Sequence, residues 1–245
     1  MPPRDAELVN DIAYDCYGQR VATCSSDNTI KIFDAAGQKI AEWRAHSGSI
    51  WRLSWAHPEF GVALASCSFD RKVCIWEETA DAEETAVHAA DGTPTRMAAW
   101  RGVAEIADAR DSVVDVQFAP HHAGLRVASC GVDGMVRIHE APDVLDLSSW
   151  ERHSEFDAAA AAAELAEALP SATTTSTAEA GAGGGDADAD SRGLQPLCLA
   201  WSKSIVEQPM IVVGMTDGGV LLWKYDVSRS LPPEPNASLT HLLTG

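Results

Sequence analysis

The sequence predicts an all-β chain assembled from about four copies of one small antiparallel sheet. Three observations carry that expectation. The stretches "VATCSSDNTIKIFD" (21–34), "LASCSFDRKVCIWE" (64–77), "VASCGVDGMVRIHE" (127–140) and "IVVGMTDGGVLLWK" (211–224) share one pattern. In each, an aspartate (Asp27, Asp70, Asp133, Asp217) precedes a bulky ring (Phe33, Trp76, His139, Trp223) by six residues, with apolar residues alternating between them. Upstream of each lies a second alternating stretch, "DIAYD" at 11, "SIWRLSW" at 49, "SVVDVQF" at 112 and "PLCLAW" at 196, and a period of two residues is the mark of a strand with one buried face.

Each unit therefore opens with two or three strands in antiparallel order. A fourth, outer strand is expected in the less regular "KIAEWRA" (39–45), "TRMAAWRG" (95–102) and "NASLTHLLTG" (236–245). The aspartates are spaced by 43, 63 and 84 residues, and the last interval contains the low-complexity stretch 158–193, without which it falls to 48. Four-stranded sheets at such a period are the signature of a WD-repeat β-propeller, where radial packing buries faces that a lone sheet would expose. The expected blades run over about 8–46, 47–102, 111–156 and 194–245. An acidic loop is expected over 77–95 and a disordered insert over 157–193, whose alanine-rich start could form a short helix ending at Pro170 but offers no obvious packing face. "LPPEP" at 231 reads as a linker between strands.

The formal charge of −18 invites a search for basic partners, but its location argues against one. Residues 77–91 and 155–190 hold fourteen of the 36 acids and no Lys or Arg, so the repeats themselves are nearly balanced. No basic stripe able to neutralise phosphates exists, and direct nucleic-acid binding is not expected. No apolar run of membrane-spanning length occurs, and the acidic, proline-bearing start does not resemble a signal peptide, so a soluble, non-secreted chain without a transmembrane segment is expected. The six cysteines (Cys16, Cys24, Cys67, Cys74, Cys130, Cys198) form no CxxC pair and read as small buried thiols.

The second unit holds His46, a serine at 66 or 68, Asp70 and Trp76, residue types that could serve catalysis. In WD repeats these positions form a hydrogen-bonded ladder within one blade, here His46, Ser66, Asp70 and Trp76. The set recurs in altered form in its sisters, with Phe33 lacking an N–H and His139 standing where Trp76 stands. A repeated set is expected to brace the blade rather than to act on a substrate. No phosphate-binding glycine loop, zinc spacing or nucleophile elbow is present. His57, His121 and His122 are the best metal candidates by type, yet they fall in turns of different blades and read as exposed loop histidines. Cys67 could be imagined as a thiol catalyst, but Cys24 and Cys130 share its register. No catalytic residue, cofactor or metal is therefore expected.

Beyond the repeat, "NDIAYDCYGQRVATCSSDNTIKIFD", "HSGSIWRLSWAHPEFGVALASCSFDRKVCIWEE" and "APHHAGLRVASCGVDGMVRIHEAPDVLDLSSW" resemble the Seh-type nucleoporins, relatives of the Sec-thirteen coat protein. "EAPDVLDLSSW" and "YDCYGQR" favour the Seh branch. The resemblance implies a non-enzymatic adaptor of the Y-shaped outer-ring complex of the nuclear pore, at the nuclear envelope, supporting protein and mRNA transport. It also implies a second role in a coat-like complex at the lysosome or vacuole that regulates growth in response to amino acids. The implied partners are an α-solenoid nucleoporin, which completes an open six-bladed propeller by strand addition, and other outer-ring subunits. A COPII-type vesicle-coat role and a peptide-binding propeller are the alternatives. Only four of six family blades are present, so the chain is expected to be an open or partial propeller: a fragment of a longer product, a chain of which a partner covers more, or a four-bladed ring closed on itself. About 400 Å² of bare blade face would forgo about 10 kcal/mol of burial.

Overall fold

The computed structural model describes residues 8–79, 87–88, 94–95, 99–168, 193–204, 206 and 208–224. The first sheet comprises β1 (Val9–Tyr14), β2 (Arg20–Ser25), β3 (Thr29–Asp34) and β4 (Lys39–Arg44), paired in that order. The second holds β5 (Ile50–Trp55), β6 (Ala63–Ser68) and β7 (Val73–Thr79). After it come the two-residue strands β8 (Val87–His88) and β9 (Pro94–Thr95), which pair with each other, and then β10 (Ala99–Ile106), which completes the second sheet on the outer side of β7. The third sheet is β11 (Val113–Phe118), β12 (Arg126–Gly131), β13 (Met135–Glu140) and β14 (Glu151–Asp157). Helix α1 (Ala158–Ala168) follows, and β15 (Pro196–Trp201), β16 (Met210–Met215) and β17 (Val220–Lys224) make the fourth sheet. All pairings are antiparallel.

The sheets are blades around a common axis, because β1, β5, β11 and β15 lie side by side in that order. The core sits between blades rather than within them, as strand alternation requires when each sheet has a neighbour on its face. Ala22, Cys24, Ile30 and Ile32 of the first blade meet Ile50, Leu53 and Leu64 of the second. Ala65, Cys67, Val73 and Ile75 meet Val113, Val116 and Val127 of the third. Ala128, Cys130, Val136 and Ile138 meet Leu199, Ile211, Val213 and Trp223 of the fourth. This is a four-blade β-propeller arrangement.

Several boundaries differ from the sequence reading. The outer strand of the second blade runs over Ala99–Ile106 rather than 95–102, and Gly102 lies opposite Trp76, where a Cβ would come within 3.1 Å of the indole. Glu77 and Glu78 belong to β7 rather than to a loop, and pair with Arg101 (3.0 Å) and Arg20 (2.8 Å). The third blade has an outer strand, β14, that its polar sequence "ERHSEFD" conceals, since only Ser154 and Phe156 are buried. The insert expected over 157–193 begins as α1, which does have a packing face. Asp157 accepts the Ala160 N–H at 2.8 Å, and Ala158, Ala161 and Ala162 lie against the cluster between the third and fourth blades. Cys24, Cys67, Cys74 and Cys130 are buried, whereas Cys16 and Cys198 are exposed, one in the turn after β1 and the other on an inner strand. The acidic loop expected over 77–95 contains the paired strands β8 and β9, and its residues 80–86 and 89–93, together with 169–192 of the insert, "LPPEP" and the outer strand expected over 236–245, lie outside the described residues. Among the described residues no helix is long and apolar enough to cross a membrane.

Candidate functional site

The second blade gathers the four polar residues that the sequence singles out. His46 precedes β5, Ser66 is on β6, Asp70 is in the turn to β7, and Trp76 is on β7. Trp76 donates its indole N–H to Ser66 Oγ at 2.8 Å, and Ser66 Oγ lies 2.8 Å from His46 Nε2. His46 Nδ1 lies 3.0 Å from Asp70 Oδ2, which also accepts the Ser47 N–H at 3.0 Å. Burial pushes the His46 ring below its ordinary value against the pull of Asp70, so the ring is neutral near neutral pH. One assignment of protons satisfies every group: Ser66 donates to Nε2, and Nδ1–H donates to Asp70. Burial would raise the Asp70 carboxyl, but His46 and the Ser47 N–H outweigh it and hold it below its ordinary value. Ser68, the other serine considered, accepts the Asp70 N–H at 3.1 Å.

The order Ser66, His46, Asp70 matches that of a nucleophilic triad. Its surroundings differ, since Ser66 is 0% exposed and its oxygen already accepts from Trp76. No acyl group can reach that oxygen without opening the blade.

The other blades rebuild the ladder with different chemistry. In the third, the Arg110 N–H donates to Asp133 as Ser47 does to Asp70, which puts Ala109 where His46 stands. Arg137, opposite Ser129 as Cys74 is opposite Ser66, fills the gap and reaches Asp133 at 2.7 Å and Glu155 at 3.0 Å. His139 reaches Asp108 at 2.9 Å instead of a serine. In the first blade Asp27 accepts the Thr29 N–H (2.9 Å) and hydroxyl (2.7 Å) and bonds Ser25. In the fourth, Asp217 accepts the Gly219 N–H at 2.8 Å, and Trp223 packs on Phe156 with ring centres 4.4 Å apart. The residue after each ladder aspartate is left-handed: Asn28, Arg71, Gly134 and Gly218.

The inner strands carry a second polar set. Asp11, Arg52, Asp115 and Cys198 occupy one position, opposite Cys24, Cys67, Cys130 and Gly214. Asp11 accepts the Leu53 N–H at 2.9 Å and Asp115 accepts the Leu199 N–H at 2.8 Å, both from the next blade. Between the second and third blades, Ser54 Oγ accepts the Phe118 N–H at 2.9 Å. Arg52 stands 3.5 Å from Asp11 and 4.0 Å from Asp115. Burial pushes the Asp115 carboxyl up to about 6 in spite of the N–H groups of Leu199 and Val116. The opposite side of β1 is uncovered, with Ile12 58% and Tyr14 67% exposed. Pattern alone could not show this, because Ile12 reads as a core residue.

The three candidate metal histidines do come together, across two blades. His57 and His121 stack with ring centres 4.5 Å apart, and His122 meets His121 edge-on at 5.6 Å. Among the described residues no group of three His, Cys, Asp or Glu could hold a metal ion.

Blades of this topology joined by inner-strand contacts define a β-propeller. The WD40 family model (WD domain, G-beta repeat) matches residues 4–34 and 37–77. Within that class the chain is similar to the nucleoporin SEH1 of Osmerus mordax, 45% identical over 153 residues covering 61% of this chain and 40% of that protein. It is likewise similar to nucleoporin SEH1 of Danio rerio (45% over 153 residues, 61% and 40%) and of Homo sapiens (44% over 153 residues, 61% and 41%). The chain's similarity to the Seh-type WD-repeat nucleoporins is thereby shown, and it spans about two fifths of the length of these relatives.

Proposed function

We propose that the chain is a non-enzymatic scaffold unit of the nuclear pore outer-ring complex, docking an α-solenoid nucleoporin on the uncovered side of β1. The observation that carries this reading is the exposure of Ile12 and Tyr14 on an inner strand whose sister strands are each covered by another blade. Such an apolar, strand-bearing flank suits recognition by an added strand. The similarity to SEH1 nucleoporins supports the choice of partner. The same surface would serve other outer-ring neighbours and transport of protein and mRNA through the pore, and in a second setting the lysosomal or vacuolar growth-signalling coat. The ladder of His46, Ser66, Asp70 and Trp76 acts in this reading as a brace that keeps the second blade flat, not as a catalytic site.

Calorimetric titration with a purified α-solenoid nucleoporin tests the proposal. The pair Ile12→Asp and Tyr14→Asp should weaken binding at least about tenfold, equivalent to about 1.4 kcal/mol, with the melting temperature of the chain unchanged. Absence of binding by the unaltered, folded chain, or equal binding by the altered one, refutes it.

A further inference from the structure

The connections leaving the inner strands at their C-terminal ends converge on one side of the axis and enclose a cleft of about 640 Å³. Volumes of a few hundred Å³ suit a side chain or a short segment of a ligand. Trp55 and Phe118, both half-buried, supply apolar lining, and His57, His121, His122 and Lys203 line it beside them. Among the described residues no Asp or Glu lines the cleft, in a chain with 36 acids and 18 Lys and Arg. The neighbouring acid is Glu59, whose N–H donates to His57 Nδ1 at 3.4 Å and whose carboxylate lies 3.6 Å from the same nitrogen. Lys203 is exposed at the cleft.

These features amount to complementarity of charge and of polarity. Imidazole rings from two blades and an ammonium group from a third surround aromatic surface, and among the described residues the one carboxylate recorded against them is that of Glu59, at the rim beside His57. We propose that this cleft binds an extended acidic peptide segment, its carboxylates meeting His57, His121, His122 and Lys203 and an apolar side chain lying against Trp55 and Phe118. The cleft reaches the end of β1 at Ala13 and Tyr14, whereas Ile12 does not line it, and the proposal does not depend on the pore reading.

The test is fluorescence anisotropy of a labelled acidic peptide with a central phenylalanine, titrated with the 245-residue chain. Saturable binding is expected, and Lys203→Glu combined with His121→Ala should weaken it by about tenfold, since each partly exposed charge contact is worth up to about 1 kcal/mol. Lys39→Glu, on the distant outer strand β4, should leave it unchanged. A peptide with glutamine for each acid, or serine for the phenylalanine, should bind more weakly. The proposal is overturned if the folded chain shows no saturable binding, if the glutamine peptide binds equally, or if the cleft variant binds as well as the original. Displacement by inorganic phosphate that is indifferent to the phenylalanine would also overturn it, revealing a simple anion site. Because these variants leave β1 intact, failure here is distinguishable from failure of the solenoid reading.

Discussion

Replacement of Asp70 by alanine probes the ladder at the group that the most partners share. The carboxylate accepts from His46 Nδ1, from the Ser47 N–H and hydroxyl, and from the Lys72 N–H. Ser47 and Lys72 border solvent and can turn to water, whereas the His46 side chain is fully buried and its N–H would be stranded. One buried, unpaired donor costs about 1–3 kcal/mol, and loss of a charge-assisted bond adds to it, so a total of about 2–3 kcal/mol follows. For a chain of this size that corresponds to a fall in melting temperature of about 5–10 °C. Trp76→Phe should cost less, about 1 kcal/mol, because Ser66 loses a donor while its own hydroxyl still reaches His46. The assay is thermal unfolding followed by circular dichroism, with the double variant His46→Ala, Asp70→Ala included. Its cost should fall short of the sum of the singles by at least about 0.5 kcal/mol, because the stranded N–H is then absent. An Asp70→Ala melt within a degree of the original, or strict additivity of the pair, would refute the reasoning. Covalent labelling of Ser66 by a fluorophosphonate in the folded chain would refute the reading of a closed ladder.

Arg71 sits at φ 70°, where its sister turns place Asn28, Gly134 and Gly218, so Arg71→Gly should raise stability by up to about 1 kcal/mol in urea unfolding. Arg137→Leu should destabilise by about 3–5 kcal/mol, because Asp133 and Glu155 would lose the buried cation between them, and its unfolding midpoint measures this. The Asp115 carboxyl, raised from 3.8 to about 6, binds its proton more tightly in the folded chain than in the unfolded one. Its contribution to stability is therefore full below about pH 4 and lost as pH rises through 6. Relative to Asp115→Asn, the original chain should gain about 1 kcal/mol between pH 7 and pH 5, read from urea midpoints at both. Asp70, Asp108 and Asp133 are held below their ordinary values, so their contributions have the opposite sign, present above pH 4 and lost in more acid solution.

Much of the architecture could be read from spacing, because a propeller repeats one short pattern and alternation names the buried face. Ser66 could be paired with Trp76 in advance since both belong to that pattern. The outer strand of the first blade was legible in "KIAEWRA", but that of the third resisted such reading: "ERHSEFD" buries only two of its seven residues, so period two has little apolar signal to modulate. The Arg137 bridge was concealed for a different reason. It depends on Ala109 vacating the place of an imidazole on another segment, and only a three-dimensional register brings the vacancy and the guanidinium together. The stacked pair His57 and His121 was hidden likewise, since the two turns are 64 positions apart and meet only when two blades do.

The contacts between inner strands have a direction. Asp11, Ser54 and Asp115 each accept a backbone N–H from the blade that follows in the chain, at Leu53, Phe118 and Leu199. The corresponding N–H of Ile12 meets no side-chain acceptor among the described residues, and Cys198 and Ala200, at the places of Asp115 and Gln117, have no oxygen to hand forward. The stack of blades is thus a polar filament in miniature, with a hungry donor end at β1 and a spent end at β15. Whatever seats itself beside Ile12 would continue the series by presenting a carboxylate or hydroxyl, and a newcomer at β15 would have to dock without that latch.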